Sequence, residues 1–170
     1  MIFFKRFFIV VSLIFIGLTA YSQKNGQTFY IVRHAEKDTG SDPSLSAAGK
    51  IRAGDLYRAL KNKNIDIIYA TKYRRTQMTG DSIKLYKGVP IEIYKADTTG
   101  SGLAEKMTML KEKGKNILII GHSNTVPAII RKLGVSDFLK EIPEDEFDNL
   151  YIVTIKKGVA QVRSEKYGAK

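Results

Sequence analysis

Two uninterrupted apolar runs in this chain end on its only two histidines: Phe29-Tyr30-Ile31-Val32-Arg33-His34 and Ile117-Leu118-Ile119-Ile120-Gly121-His122. A short run rich in β-branched and aromatic residues has the pattern of a strand covered on both faces, so the sheet must be sandwiched between other layers. Open sheets of that kind bind ligands at the carboxyl ends of their strands, which is where both imidazoles fall. Arg33 precedes the first of them. Its guanidinium fork matches phosphate oxygens, and its charge disfavours a divalent cation beside His34.

The segments between these runs alternate in type. A turn-rich loop, Glu36 to Pro43, leads to Ser46, a candidate cap for a helix whose apolar positions Leu45, Ala48, Leu56, Ala59 and Leu60 lie near helical spacing and which ends near Asn62-Lys63-Asn64. Asp66 to Ala70 reads as a strand, Thr76 to Tyr86 as a helix stopped at Lys87-Gly88, and Ile91 to Tyr94 as a half-exposed strand. Leu103, Met107 and Leu110 mark a helix ending at Gly114, and a further helix begins at Asn124 or Thr125 with Pro127 in its first turn. Glu141 to Asp148 reads as an acidic surface segment, followed by strands Tyr151 to Ile155 and Val159 to Arg163 around Lys156-Lys157-Gly158. The expectation is an α/β fold: a single-domain, mostly parallel sheet with helices on both faces and a C-terminal β-hairpin at a sheet edge. In that arrangement Arg33-His34, Arg75 and His122 share one crevice.

Composition restricts the chemistry. Residues 1–22 carry Lys5 and Arg6, an uncharged stretch from Phe7 to Leu18 and small residues at Ala20 and Ser22, the pattern of a signal peptide cleaved before Gln23. An apolar run of roughly 12 residues is short for a spanning helix, which needs about 20, although an uncleaved anchor is the alternative. The expected mature domain is 23–170, periplasmic or extracellular, with no stable membrane association once the leader is removed. There is no cysteine, so thiol chemistry and disulfides are excluded. The net charge of +11 includes Lys5 and Arg6, leaving +9 after processing. That favours anionic ligands, and without a basic stripe or a nucleic-acid-binding motif it does not point to nucleic acid.

Four motifs in order resemble those of the histidine phosphatase superfamily, in its phosphoglycerate mutase-like branch and at the size of the small phosphohistidine phosphatases. Arg33-His34-Ala35-Glu36 is similar to the Arg-His-Gly signature with Ala for Gly, and Leu45-Ser46-Ala47-Ala48-Gly49 to a Leu-Thr-x-x-Gly element. Thr71 to Thr79 resembles the Ser-x-x-x-Arg-x-x-x-Thr segment carrying the second arginine, and Gly121-His122-Ser123 the segment of the second histidine. The resemblance implies that His34 is a nucleophile that is transiently phosphorylated, with Arg33, Arg75 and His122 completing the phosphate pocket and no metal or other cofactor required. An unprotonated imidazole nitrogen can attack phosphorus, and fixed cationic donors stabilise charge on the transferring group. Arg74 is the neighbouring alternative to Arg75. Glu36 and Lys37 are candidates to reach substrate from their loop.

The departure is the general acid. The phytase-like branch has an acidic residue directly after the second histidine, where this chain has Ser123. Of Glu92, Asp97 and Glu105, Asp97 is the best candidate because it lies in a loop after a strand. Without an evident acid, good leaving groups are expected to be strongly preferred. The resemblance therefore implies hydrolysis of phosphate monoesters or related small phosphoryl compounds. A phosphohistidine phosphatase or mutase, a non-catalytic phosphate-binding module and a metal site made by His34, Glu36 and His122 are the alternatives.

Overall fold

The computed structural model describes residues 26–168; the expected leader, residues 1–22, lies outside them. The chain runs β1 (Gln27–Arg33), α1 (Ala47–Leu60), β2 (Ile67–Ala70), α2 (Arg74–Lys87), β3 (Ile91–Ile93), α3 (Ser101–Met109), β4 (Ile117–Gly121), α4 (Thr125–Lys132), β5 (Asn149–Lys156) and β6 (Val159–Lys166). The six strands form one sheet in the order β3-β2-β4-β1-β5-β6. The first four are mutually parallel, and the last two form the expected antiparallel hairpin at one edge. Its two-residue turn places Lys157 and Gly158 at φ 50° and 79°, the left-handed conformations that let a tight hairpin follow the strand twist.

β1 and β4 lie at the centre, and their continuous apolar sequence follows from burial on both faces. Phe29, Ile31, Ile117 and Ile119 pack towards α3 and α4, through Leu103, Val126, Ile129 and Ile130. Val32, Leu118 and Ile120 pack towards α1 and α2, through Leu56, Leu60 and Ile83. Each such side chain, fully buried, is worth about 1.5–3 kcal/mol relative to exposure. The register sets Arg33 opposite Gly121, and the His34 amide donates to the Gly121 carbonyl over 2.9 Å. The two histidines therefore leave the sheet side by side.

Some expectations need adjustment. α2 begins at Arg74 rather than Thr76, which puts Arg75 inside its first turn. α3 stops at Met109, short of Gly114, with Lys111 at φ 53°. The segment 141–148 is more than a solvated surface stretch: Ile142 is fully buried and its amide donates to the Ser123 carbonyl, which straps the segment across the strand ends. None of the described residues forms a helix long and apolar enough to cross a membrane.

Candidate active site

The carboxyl ends of β1, β2 and β4 open into a cavity of about 540 Å³ lined by Arg33, His34, Arg75 and His122, together with Lys37, Tyr73, Asp97, Ser123 and Glu144. The imidazole centroids are 5.3 Å apart in an edge-to-face arrangement. A second cavity of about 520 Å³, between α3 and α4, is mainly apolar and contains neither histidine.

His34 is 3 % exposed. Its Nδ1 lies 2.8 Å from the Ala35 carbonyl, which can only accept, so Nδ1 carries the proton and Nε2 is left with a free lone pair. Burial, with further contributions from His122, Arg75 and Arg33, lowers its pKa to about 3. His122 is lowered to about 4 by burial and the same two arginines. Both rings are thus neutral at physiological pH, and His34 presents an unprotonated nitrogen without help from a base. The His122 ring is held by the Thr71 hydroxyl at 3.1 Å from Nε2, while Arg75 Nη2 lies 3.4 Å from Nδ1.

The motif residues outside the cavity have mechanical reasons. Ser46 caps α1 by accepting from the Gly49 amide. A Cβ on Gly49 would sit 2.0 Å from the Glu36 carbonyl oxygen, so only glycine lets α1 approach the loop after His34 this closely. Thr79, on α2, accepts from the Ala35 amide over 3.0 Å and donates to the Arg75 carbonyl over 2.7 Å. One hydroxyl thereby ties the backbone after His34 to the helix turn that carries Arg75.

The two arginines are braced by aromatic rings. Arg33 lies 4.2 Å from the Phe147 ring centroid and Arg75 lies 4.4 Å from that of Tyr73. Arg33 Nε and Arg75 Nε are buried without a hydrogen-bond partner. Buried guanidinium donors with unmet hydrogen-bonding capacity, in a cavity at the amino end of α2, favour an anion. Arg74, by contrast, is exposed and does not line the cavity, so the geometry places Arg75 there.

Two candidate residues are arranged differently from expectation. Glu36 is not brought to the cavity: Arg52 Nε donates to both its carboxylate oxygens, at 2.7 and 2.9 Å. This also takes it out of the proposed His34, Glu36 and His122 metal set, and no group of three or more potential metal ligands occurs among the described residues. Asp97 does line the cavity, but its carboxylate accepts from the amides of Thr99, Ser101 and Gly102 at the start of α3. The Thr99 hydroxyl and these amides hold its pKa near 2, which makes it a poor proton donor. Sequence reasoning missed Thr71 and Thr79 as positioning groups, although both are fixed positions of a recognised motif. It also missed Phe147 and Glu144, for which no local signal exists because the strap is placed by tertiary packing.

A strand-end histidine with a neutral ring, a second histidine, a buried Arg33 and a partly buried Arg75 together form a cavity suited to a phosphoryl group. Residues 29–96, spanning β1 to β3 and including Arg33, His34 and Arg75, match the histidine phosphatase superfamily, branch 1. Over these residues, and in the four motifs, the chain is similar to the histidine phosphatase superfamily. The chain has no significant match among curated protein sequences. Similar solved structures include the alpha-ribazole phosphatase from Shigella flexneri (14 % identity, 80 % of this chain and 94 % of that one, TM-score 0.63). A chain designated a phosphohistidine phosphatase from Agrobacterium tumefaciens has 18 % identity over 84 % of this chain and 98 % of its own, with a TM-score of 0.62. The phosphoglycerate mutase from Bacillus anthracis has 13 % identity over 84 % and 93 %, with a TM-score of 0.63. At these identities the likeness establishes the fold.

Proposed function

We propose that this protein is an exported, metal-independent phosphatase that hydrolyses small phosphate monoesters or related phosphoryl compounds through a phosphohistidine on His34. The observation that carries the reading is the 2.8 Å approach of His34 Nδ1 to the Ala35 carbonyl. The Nδ1–H donates a hydrogen bond to that carbonyl, leaving Nε2 as the nucleophile in a cavity with Arg33 and Arg75. In the first step an Nε2–P bond forms as the bond from phosphorus to the leaving group breaks. Water then attacks phosphorus, the N–P bond breaks and phosphate is released. Charge on the equatorial oxygens is met by the guanidinium groups, the work a metal ion would otherwise do.

Hydrolysis rather than mutase chemistry is supported by the open cavity, which leaves water access to the phosphorylated histidine. The acids near it favour substrates with good leaving groups: Asp97 is bound to backbone amides and Glu144 is paired with Arg33. Aryl or acyl phosphates are therefore expected to turn over about 10²–10⁴-fold faster than alkyl phosphates, and equal rates would refute this. Export and cleavage before Gln23 rest on the sequence pattern of residues 1–22 and are checked by the amino-terminal sequence and location of the mature protein. The central test is phosphate release from an aryl phosphate by residues 23–170 in excess chelator, beside His34→Ala. Release confined to the native chain supports the proposal. Phosphate binding without release in either protein would favour a binding module.

A further inference from the structure

The strap between α4 and β5 puts a carboxylate on the donors that a phosphoryl group on His34 would use. Arg33 Nη1 donates to the Pro143 carbonyl over 2.8 Å and Nη2 to Glu144 Oε2 over 2.5 Å, while the Ser123 hydroxyl donates to Glu144 Oε1 over 2.8 Å. The partners differ sharply in freedom. The Arg33 side chain is 4 % exposed and stacked on Phe147, whereas that of Glu144 is 76 % exposed. When a phosphate enters, the arginine is held in place and the carboxylate is free to swing into solvent. Two anions cannot comfortably share Nη2, since like charges in contact repel strongly at a site partly shielded from water.

We propose that Glu144 is a displaceable counter-ion of the phosphate pocket: it competes with the substrate's phosphoryl group for Arg33 and Ser123 and, on returning, expels product phosphate. The inference rests on the reading of the cavity as a phosphate site. The resting Arg33 is then neutralised from within the chain and does not trap ambient phosphate. No bond to Glu144 forms or breaks. The carboxylate exchanges ion-pair partners, and its pKa, lowered by the Ser123 hydrogen bond and by Arg33, keeps it ionised for that purpose. The other charged or titratable groups facing the same cavity are His34, Lys37, Tyr73, Arg75, Asp97, His122 and Glu141.

The test is calorimetric titration of inorganic phosphate and vanadate into the full chain and its Glu144→Gln and Glu144→Ala variants. Both substitutions lie on an exposed side chain and leave the core untouched. Phosphate is expected to bind about fivefold more tightly to each variant, the worth of an exposed ion pair, with stronger product inhibition and a lower KM for an aryl phosphate. The difference from the native chain should persist through neutral pH and close only in acid, once the Glu144 carboxylate, whose pKa is lowered by the Ser123 hydrogen bond and by Arg33, is protonated. Unchanged or weaker phosphate affinity in Glu144→Gln overturns the proposal, as does a selective loss of kcat on alkyl phosphates, which would make Glu144 a proton donor. If the native chain binds no phosphate, the reading of the pocket itself falls, a result distinct from binding that the variants do not tighten.

Discussion

Replacing Thr79 by valine isolates a single hydrogen bond behind the nucleophile. The threonine hydroxyl accepts from the buried Ala35 amide and donates to the Arg75 carbonyl one turn back on α2. Valine keeps the β-branched shape and the helix, and the Arg75 carbonyl retains the ordinary backbone acceptor role of a helical residue. The Ala35 N–H does not fare as well: Ala35 is fully buried, and without the hydroxyl its amide has no partner. A buried unsatisfied donor costs about 1–3 kcal/mol. For a domain of this size that corresponds to a fall in Tm of about 2–4 °C per kcal/mol.

The consequence extends to chemistry, because Ala35 also supplies the carbonyl that fixes the His34 tautomer. Urea denaturation should show Thr79→Val destabilised by about 2 kcal/mol with an unchanged m-value, and kcat on an aryl phosphate should fall with it. Thr79→Ser, which keeps the hydroxyl, should recover most of both. A Thr79→Val protein within about 0.5 kcal/mol of the native one, the range of ordinary surface changes, would refute the argument. Thr79→Ser as damaged as Thr79→Val would transfer the effect from the hydrogen bond to the methyl group's packing.

Three further expectations follow from the same geometry. His34 and His122 are neutral in the fold, with pKa values lowered to about 3 and 4, whereas an unfolded histidine titrates near 6.5. The unfolded chain therefore binds more protons below about pH 6.5, and stability should fall with pH from there by up to about 1.4 kcal/mol per pH unit for each histidine. Denaturation midpoints of His122→Asn should show a shallower acid slope, and kcat/KM of the native protein should hold to about pH 5. Asp97→Ala should lower stability by about 1 kcal/mol, as expected when a side chain that gathers helix-start amides is lost, while sparing aryl phosphate turnover. A large, selective loss on alkyl phosphates would restore Asp97 as the acid. Arg75→Lys keeps the charge but loses the planar fork that reaches His122 and lies against Tyr73, so kcat should fall at least tenfold, with global stability little changed.

What was legible in the sequence divides along a physical line. β1 and β4 could be read because burial on both faces demands continuous apolar residues, and a strand's end is marked by the first residue that cannot be buried cheaply. The sheet's parallel pairing then brings Arg33, His34 and His122 together, and Arg75 follows because α2 starts one short turn after β2. These placements need only local pattern and topology. Side-chain pairing across loops needs more. Glu36 lies two residues after the nucleophile, yet its carboxylate is paired with Arg52, sixteen residues away on α1. Asp97 occupies the right loop, but the three amides it accepts from turn a candidate acid into a helix-start anchor.

The strap carries the same point further. Its acidic composition reads as solvated surface, and Glu144 is indeed exposed on its outer side. The segment is nonetheless fixed at Ile142, whose buried side chain and amide bind it to the residue after His122. That anchor lays the Pro143 carbonyl and the Glu144 carboxylate on Arg33 and sets Phe147 against the guanidinium plane. A buried arginine in an otherwise neutral cavity is costly unless an anion accompanies it. The fold supplies one from its own chain, at a position exposed enough to leave. The residue that tunes phosphate affinity therefore sits where composition suggests no function, because its role comes from where Ile142 is buried rather than from its sequence neighbours.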